Sequence, residues 1–333
     1  MIIFGIETSC DDCALAVVRN GREVLAQEIV SQTALHQRYG GIVPELAARQ
    51  HVADIGALAE EVLTAAAINC DALDAIAVTQ RPGLVGSLLV GASFAKGMAV
   101  ALGLPLVAVN HVDAHIFGAL LGLAPDAVKF PCLALVVSGG HTNLYRMQHL
   151  LDFKVIDYSL DDACGEAFDK VAKLLKLSSY SGVAVEQFAG QSQLAQSHST
   201  SQTIPLALPA VMRGKNNFSY AGLKTAVANI IRAERLTADE QRSADLCYAF
   251  QEEAFAQLLD RLEMRCDATI KSLIVAGGVA ANHRFRTLLR QHFDLPIYLP
   301  APHFCTDNAA MIASLGYYLL QTERGDDLTW QVM

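Results

Sequence analysis

The sequence predicts a duplicated α/β protein of two lobes, each a sheet with helices packed on it. Three observations carry that expectation. The order strand, strand, strand, helix, strand, helix is read twice along the 333 residues. Each copy has a polar or glycine turn after its first strand, Thr8 to Asp12 in one and Ser138-Gly139-Gly140 in the other. Each copy also ends on a short strand that runs into chemistry. Pro105 to Asn110 leads into His111-Val112-Asp113-Ala114-His115, and Leu295 to Leu299 leads into Pro302-His303-Phe304-Cys305-Thr306-Asp307.

The elements follow in order. Ile2 to Glu7 and Ala14 to Arg19 read as strands, Asn20-Gly21 as a hairpin turn, and Glu23 to Val30 as the third strand. Proline opens a helix from Pro44 to Ala67. A strand (Ala75 to Thr79), a glycine-rich turn (Pro82 to Gly86), a small-residue helix and the strand before His111 complete the first copy. In the second, strands span Cys132 to Val137, His141 to Met147 and Phe153 to Tyr158, and a helix spans Cys164 to Leu175. After a long insertion come the strand Ser272 to Ala276, the turn Gly277-Gly278, a helix from Asn282 to His292 and the strand before Asp307. The first lobe is expected over 1–110 with 308–333, and the second over 111–307, with a helical insertion at about 176–270. Four glycine-rich turns at matching places suit a nucleotide between the lobes, because glycine lets backbone N–H groups approach phosphate.

Composition narrows the class. With 52% hydrophobic and 18% charged residues the chain is expected to be soluble and globular. Its most apolar stretch, Leu88 to Val109, is broken by Lys96, glycines and Pro105, so no membrane span is expected, and no signal peptide is read. Eight scattered cysteines with one Cys-x-x-Cys pair, Cys10 and Cys13, exclude a zinc ribbon and fit a reducing cytoplasm. A net charge of −9 argues against a generic nucleic-acid binder, so RNA contact would need a local patch or a partner.

His111 and His115 are four residues apart, which on a helix puts both imidazoles on one face. A zinc protease of the His-Glu-x-x-His kind lacks its base here, since Val112 follows the first histidine. If the two copies share a topology, Asp307 joins the histidines in a metal site split between the lobes. Two imidazoles and a carboxylate suit iron or zinc.

Taken together, the motifs resemble the TsaD family of tRNA threonylcarbamoyladenosine-forming transferases, once described as glycoproteases. The likeness runs from Gly5 to about Ser314. It is carried by Gly5 to Asp11, Gly40 to Glu45, Pro82-Gly83-Leu84, Lys96-Gly97 through His115, Val136 to Thr142, Gly165 to Lys170, Gly222 to Thr225, Ala276 to Asn282 and Cys305 to Asn308. The resemblance implies an actin-like, sugar-kinase-like (ASKHA) two-lobe ATPase fold. It implies one divalent metal on His111, His115 and Asp307, with Fe²⁺ favoured and Zn²⁺ possible. It implies a pocket for threonylcarbamoyl-AMP built from Val136, Val137, Ser138, Gly139, Gly140, Asp169, Gly182, Glu186 and Asn282. The carboxylates of Asp169 and Glu186 suit ribose hydroxyls, and Asn282 suits an adenine or ribose edge.

The implied reaction is acyl transfer to the exocyclic amine of the adenosine beside the anticodon (position 37), in tRNAs reading codons that begin with A. A TsaB-like paralogue and a TsaE-like ATPase are the implied partners. No general base is assigned, although Asp11 and Asp12 lie in the first-lobe turn. Departures from the family pattern are Asp11-Asp12-Cys13 for Asp-Glu-hydroxyl, Arg81 for the first glycine of Gly-Pro-Gly-Leu, and Ser181-Gly182-Val183-Ala184 for Pro-Gly-Gly-Pro. The rival readings are a small-molecule kinase on the same fold, which would hold Mg²⁺ on carboxylates and phosphates rather than on histidines, and a non-catalytic scaffold.

Overall fold

The computed structural model describes residues 1–192, 208–210, 212–236, 241–322, 325–326 and 328–332. Its two compact units are Met1–Ala127 with Pro300–Met333, and Val128–Leu299.

In the first unit, β1 (Ile2–Glu7), β2 (Asp12–Arg19) and β3 (Glu23–Ser31) form an antiparallel meander. The turn between β2 and β3 is the one the sequence announces: Asn20 and Gly21 both take positive φ, 50° and 68°, the backbone of a type I′ turn, and the Arg22 N–H donates to the Arg19 carbonyl at 3.2 Å. Next are α1 (Thr33–Gln37), for which the sequence carries no clear signal, and α2 (Pro44–Ala65). They are followed by β4 (Ala75–Arg81), α3 (Val85–Leu102), β5 (Leu106–Asn110) and α4 (His111–Gly118). The sheet order is β3-β2-β1-β4-β5, with β1, β4 and β5 mutually parallel. Side chains of β1 alternate between its faces. Phe4 and Ile6 join Leu15, Ile55, Leu58 and Ala95 in the core under α2 and α3. Gly5 lies on the opposite face, where a Cβ would meet Ala309 and Ala313 of the last helix. Glu7 has the parity of Gly5 and looks out on that same side.

The second unit repeats the plan. Its strands are β6 (Cys132–Val137), β7 (Thr142–Met147), β8 (Lys154–Tyr158), β9 (Ser272–Ala276) and β10 (Ile297–Tyr298), in the order β10-β9-β6-β7-β8. Strand for strand this is the first sheet again. Its helices are α5 (Cys164–Leu174), α6 (Gly182–Gly190), α7 (Ala221–Glu234), α8 (Gln241–Arg265) and α9 (His283–His292). Packed rings fasten three of them: Phe168 of α5 lies 4.9 Å edge-on from Phe250 and 5.5 Å, stacked, from Phe255 of α8, and Phe255 stacks 4.9 Å from Phe285 of α9. The expected insertion, about 176–270, holds α6, α7 and α8; its residues 193–207, 211 and 237–240 lie outside the described residues. The last helix, α10 (Ala309–Thr322), returns to the first unit and packs on β1, β2, β4 and α4.

Three expectations change. The expected boundaries, 1–110 with 308–333 and 111–307, give way to exchange points at Ala127/Val128 and Leu299/Pro300. The reason is that α4 follows β5 directly and packs against α10, so the chain stays in the first unit until after α4. His111, His115 and Asp307 therefore all belong to that unit, and the metal group is not split between lobes. The strand expected from Leu295 to Leu299 shrinks to Ile297–Tyr298, paired on one side only. Among the described residues one helix, α3, is long and apolar enough to cross a membrane. Its Leu88, Gly91, Ala92, Ala95 and Ala99 are buried, and it packs on β4 and α2.

Candidate active site

Asn110 ends β5 and caps α4, its side chain accepting the Val112 N–H at 2.8 Å and that of Asp113 at 3.3 Å. This cap starts the helix at His111 and stacks His115 one turn above, with ring centroids 4.8 Å apart. Asn308 does the same for α10: it accepts the Met311 N–H at 3.0 Å and donates to the Phe304 and Thr306 carbonyls at 3.1 and 2.8 Å. Asp307 is thereby held at the head of α10.

The three side chains converge. Asp307 Oδ1 lies 3.4 Å from His111 Nε2 and 3.5 Å from His115 Nε2, and one ligand atom from each residue falls within 4.8 Å of the others. Donors about 2.0–2.2 Å from one ion sit at such separations. His115 Nε2 is buried and makes no hydrogen bond among the described residues, a ring nitrogen left unsatisfied beside Asp307. The group could hold a metal ion.

Behind it stands a carboxylate that no sequence motif singles out. Glu7 Oε2 lies 2.9 Å from His111 Nδ1 and accepts the Thr79 hydroxyl at 2.5 Å, while Oε1 accepts the Ser9 N–H at 2.5 Å. Ser9 Oγ is a further 3.3 Å neighbour of Nδ1. Burial would raise the Glu7 carboxyl, but His111 outweighs it and holds the group below the usual carboxylate range. Burial opposes the charged form of His111 as well, yet Glu7 and Asp307 raise its pKa well above the ordinary value. Burial holds His115 below its ordinary value. A signal for Glu7 does exist: it is the lone acid in an apolar strand, at its C-terminal end. Of the turn acids, Asp12 has one oxygen buried without a hydrogen bond among the described residues, and burial raises its carboxyl.

The residues expected to bind an adenylate all lie in the second unit, and contacts link them into a ring. Val136 and Val137 end β6, and Ser138, Gly139 and Gly140 turn into β7, with Ser138 N–H donating to the His141 carbonyl at 2.8 Å. No atom would meet a Cβ within 4 Å at Gly139, Gly140 or Gly278, so this backbone borders open space. Gly165 N–H donates to the Ser138 carbonyl at 3.1 Å, which seats the start of α5 beside the turn. Further along α5, Asp169 accepts the Gly182 N–H at 2.8 Å, bringing in the start of α6. Glu186 of α6 accepts the His283 N–H at 2.7 Å, bringing in the start of α9. Gly277, at φ 94°, closes the ring against the Val137 backbone, where a side chain would collide.

Asn282 also has a structural role. It is buried and caps α9 by accepting the Phe285 N–H at 3.0 Å, while its amide donates to Gln251 at 2.9 Å. The structure gives it a holding role toward the head of α9, and Gln251 is a partner that no sequence motif flagged. Asp169 lies at the surface, yet its carboxyl is crowded enough that desolvation raises it to about 6.

A family profile described as TsaD, tRNA N6-adenosine threonylcarbamoyltransferase, matches residues 23–314. The chain belongs to the TsaD family. It is 42% identical over 324 residues to the tRNA N6-adenosine threonylcarbamoyltransferase of Geotalea uraniireducens, covering 96% of this chain and 92% of that one. It is 43% identical over 338 residues to the Anaeromyxobacter protein of the same name, covering 98% of each. Among solved structures it resembles component A of the Acidaminococcus fermentans (R)-2-hydroxyglutaryl-CoA dehydratase, with a TM-score of 0.57 at 13% identity over 96% of this chain and 99% of that one. It also resembles T. kodakarensis HypF, with a TM-score of 0.59 at 13% identity over 96% and 48%. These likenesses concern the fold, which is the duplicated actin-like, sugar-kinase-like one. Like its family, this TsaD chain is a transferase that moves a threonylcarbamoyl group to N6 of an adenosine in tRNA. The kinase and scaffold readings give way to that activity.

Proposed function

We propose that the donor is threonylcarbamoyl-AMP held by the second unit, and that the acceptor is adenosine 37 of tRNAs reading codons that begin with A. The observation that carries this is the ring of contacts through Ser138, Gly165, Asp169, Gly182, Glu186 and His283, which gathers the starts of α5, α6 and α9 beside open glycine backbone. Helix starts and bare N–H groups favour a phosphate, and carboxylates at the rim suit ribose hydroxyls. In the transfer the N6 lone pair forms the new C–N bond to the carbamoyl carbon. The carbon–oxygen bond to phosphate breaks, AMP leaves with its electron pair, and N6 gives up a proton. His111, His115 and Asp307 would hold one divalent ion, Fe²⁺ in preference to Zn²⁺, which when bound supplies Lewis acidity toward a phosphate or carbonyl oxygen. Glu7 and Ser9 orient His111 for that purpose.

The tRNA reaches an acidic protein, and several basic groups are already committed. Arg213 pairs with Glu253, Arg284 with Glu252 and Lys224 with Asp162, and Arg286 donates to the Ala280 carbonyl. A groove of about 500 Å³ gathers Lys170, Lys173, Lys224 and Arg232, but Lys170 and Lys224 are both tied to Asp162, so little of its positive charge is left for phosphate. The chain alone is therefore a weak tRNA binder. A TsaB-like paralogue, with a TsaE-like ATPase, completes the working cytoplasmic assembly. The exposed stripe of α3, with Val85 59%, Leu89 50% and Val100 67% exposed, offers that paralogue a helix face, while Gly91 and Ala95 of the same helix face the core. Nucleoside analysis of tRNA from cells depleted of this protein, with calorimetry of adenylate binding, tests the reading. Unaltered threonylcarbamoyladenosine levels or no adenylate binding would overturn it.

A further inference from the structure

One set of buried polar side chains in the first unit takes no part in the chemistry above. Gln32 precedes α1, His36 lies within it and His51 lies in α2; they are 3%, 3% and 0% exposed. Groups of this kind are tolerated inside a protein when hydrogen-bonded, and here the bonds form a single chain. The Val43 N–H donates to His36 Nδ1 at 3.3 Å, and His36 Nε2 meets Gln32 Oε1 at 3.2 Å. Gln32 Nε2 meets the Ala47 carbonyl at 3.3 Å and His51 Nδ1 at 3.2 Å. His51 Nε2 meets the Cys10 carbonyl at 2.9 Å.

Backbone groups set the direction of every bond. The Val43 N–H can only donate, so His36 Nδ1 is bare and its proton is on Nε2. That proton needs an acceptor, the oxygen of Gln32. The Ala47 carbonyl can only accept, and independently turns the amide NH₂ the same way. The NH₂ then donates to His51 Nδ1, leaving the His51 proton on Nε2, where the Cys10 carbonyl takes it. Both imidazoles are neutral Nε2–H tautomers. Burial, which holds His51 below its ordinary pKa, acts in the same sense.

The inner end of the chain reaches the metal group. Cys10 follows Ser9, whose hydroxyl lies 3.3 Å from His111 Nδ1 and whose carbonyl accepts the Leu84 N–H at 2.7 Å. The outer end is the close of an exposed loop, in which Tyr39 is 60% and Ile42 44% exposed.

We propose that His36, Gln32 and His51 are positioning residues: a one-way relay that pins the Ser9-Cys10 turn behind His111 and so sets the direction in which His111 offers Nε2 to a metal. The relay rests on the metal reading for its purpose but not for its detection. Gln32→Glu is nearly isosteric and removes the donor to Ala47 and His51, forcing a proton onto His51 Nδ1. In the metal-free chain, ¹⁵N imidazole spectra are expected to show His36 and His51 as Nε2–H tautomers. In Gln32→Glu, His51 loses that signature and the His111 ring resonances move with it. Titrated with Co²⁺ alone, Gln32→Glu and His51→Leu are expected to bind roughly 10-fold more weakly or worse, with an altered visible spectrum. His51→Gln, which still accepts and donates, restores most of the affinity. If His51→Leu fails to fold, Gln32→Glu decides. Unmoved His111 resonances and wild-type Co²⁺ affinity in Gln32→Glu overturn the proposal. A wild-type chain that binds no Co²⁺ refutes the metal reading instead, and the imidazole spectra then judge the relay by themselves.

Discussion

Glu7 stands 2.9 Å from Nδ1 of His111, on the side of the ring away from Asp307. Its other bonds, to Ser9 and Thr79, leave the carboxylate no freedom to turn. A histidine held this way points Nε2 with fixed aim, ready to serve as a donor once an ion displaces its proton. Glu7→Gln keeps the shape and removes the charge, and is expected to weaken metal binding by about 10–100-fold. Competition against a chelator of known affinity measures it. Unchanged affinity would mean the ring is oriented by something else.

Removing a ligand outright is expected to do more. His111→Ala or Asp307→Ala leaves two donors and no stable site. The fold survives both changes, because α4 and α10 keep their asparagine caps at Asn110 and Asn308. Metal analysis beside thermal unfolding separates the effects, and full occupancy in either variant would remove that residue from the ligand set.

Asp169 is expected to give the proposed donor pocket a pH dependence. Desolvation raises its carboxyl to about 6. A protonated carboxyl loses one acceptor for a ribose hydroxyl, so adenylate affinity is expected to fall as pH drops through about 6 and to level off above it. For the ligand-free fold the sign is opposite: ionisation of this group costs stability as pH climbs from the ordinary carboxylate range toward 6. Calorimetry on either side of that pH checks the binding, and Asp169→Asn is expected to flatten the profile.

Asp157 serves the fold. It is fully buried and takes two bonds from Arg265, at 2.7 and 3.0 Å, and the Asn217 N–H at 2.9 Å. Burial raises the carboxyl, but these donors outweigh it and hold it below the usual range. Its stabilisation is therefore present at neutral pH and lost as acid carries the solution below the ordinary carboxylate range. Asp157→Ala is expected to cost about 3 kcal/mol, because it strands a partly buried guanidinium. Denaturant unfolding of the variant at neutral pH measures the cost, and a loss under about 1 kcal/mol would show the pair to be solvent-screened.

Much of this is legible in the sequence because period and punctuation are local. Asn20-Gly21 names its own turn type, and the repeated strand order becomes two sheets of one topology. His111, His115 and Asp307 stand out by their spacing and by their place just beyond the ends of strands. Pairings across the sequence are harder to see. Glu7 meets His111 only because β1 and β5 flank β4, and a carboxylate 104 residues away leaves no mark beside the histidine. Asn282 shows that one residue can carry two signals, since an asparagine just before a helix is as good a cap as a ligand. The lobe boundary is misplaced because a strand end looks like a domain end until the next helix is seen to fold back onto the same sheet.

The first unit is made from the two ends of the chain, with the whole of the second unit between Ala127 and Pro300. A ribosome therefore releases Glu7, His111 and His115 long before Asp307 exists. The face of the first sheet that α10 will cover stays bare through the synthesis of 172 intervening residues, Val128 to Leu299. Vectorial translation thus gives the second unit time to fold first. It also makes completion of the His111, His115 and Asp307 group the chain's closing act: a truncated polypeptide has both imidazoles but neither the carboxylate nor the helix that packs behind them.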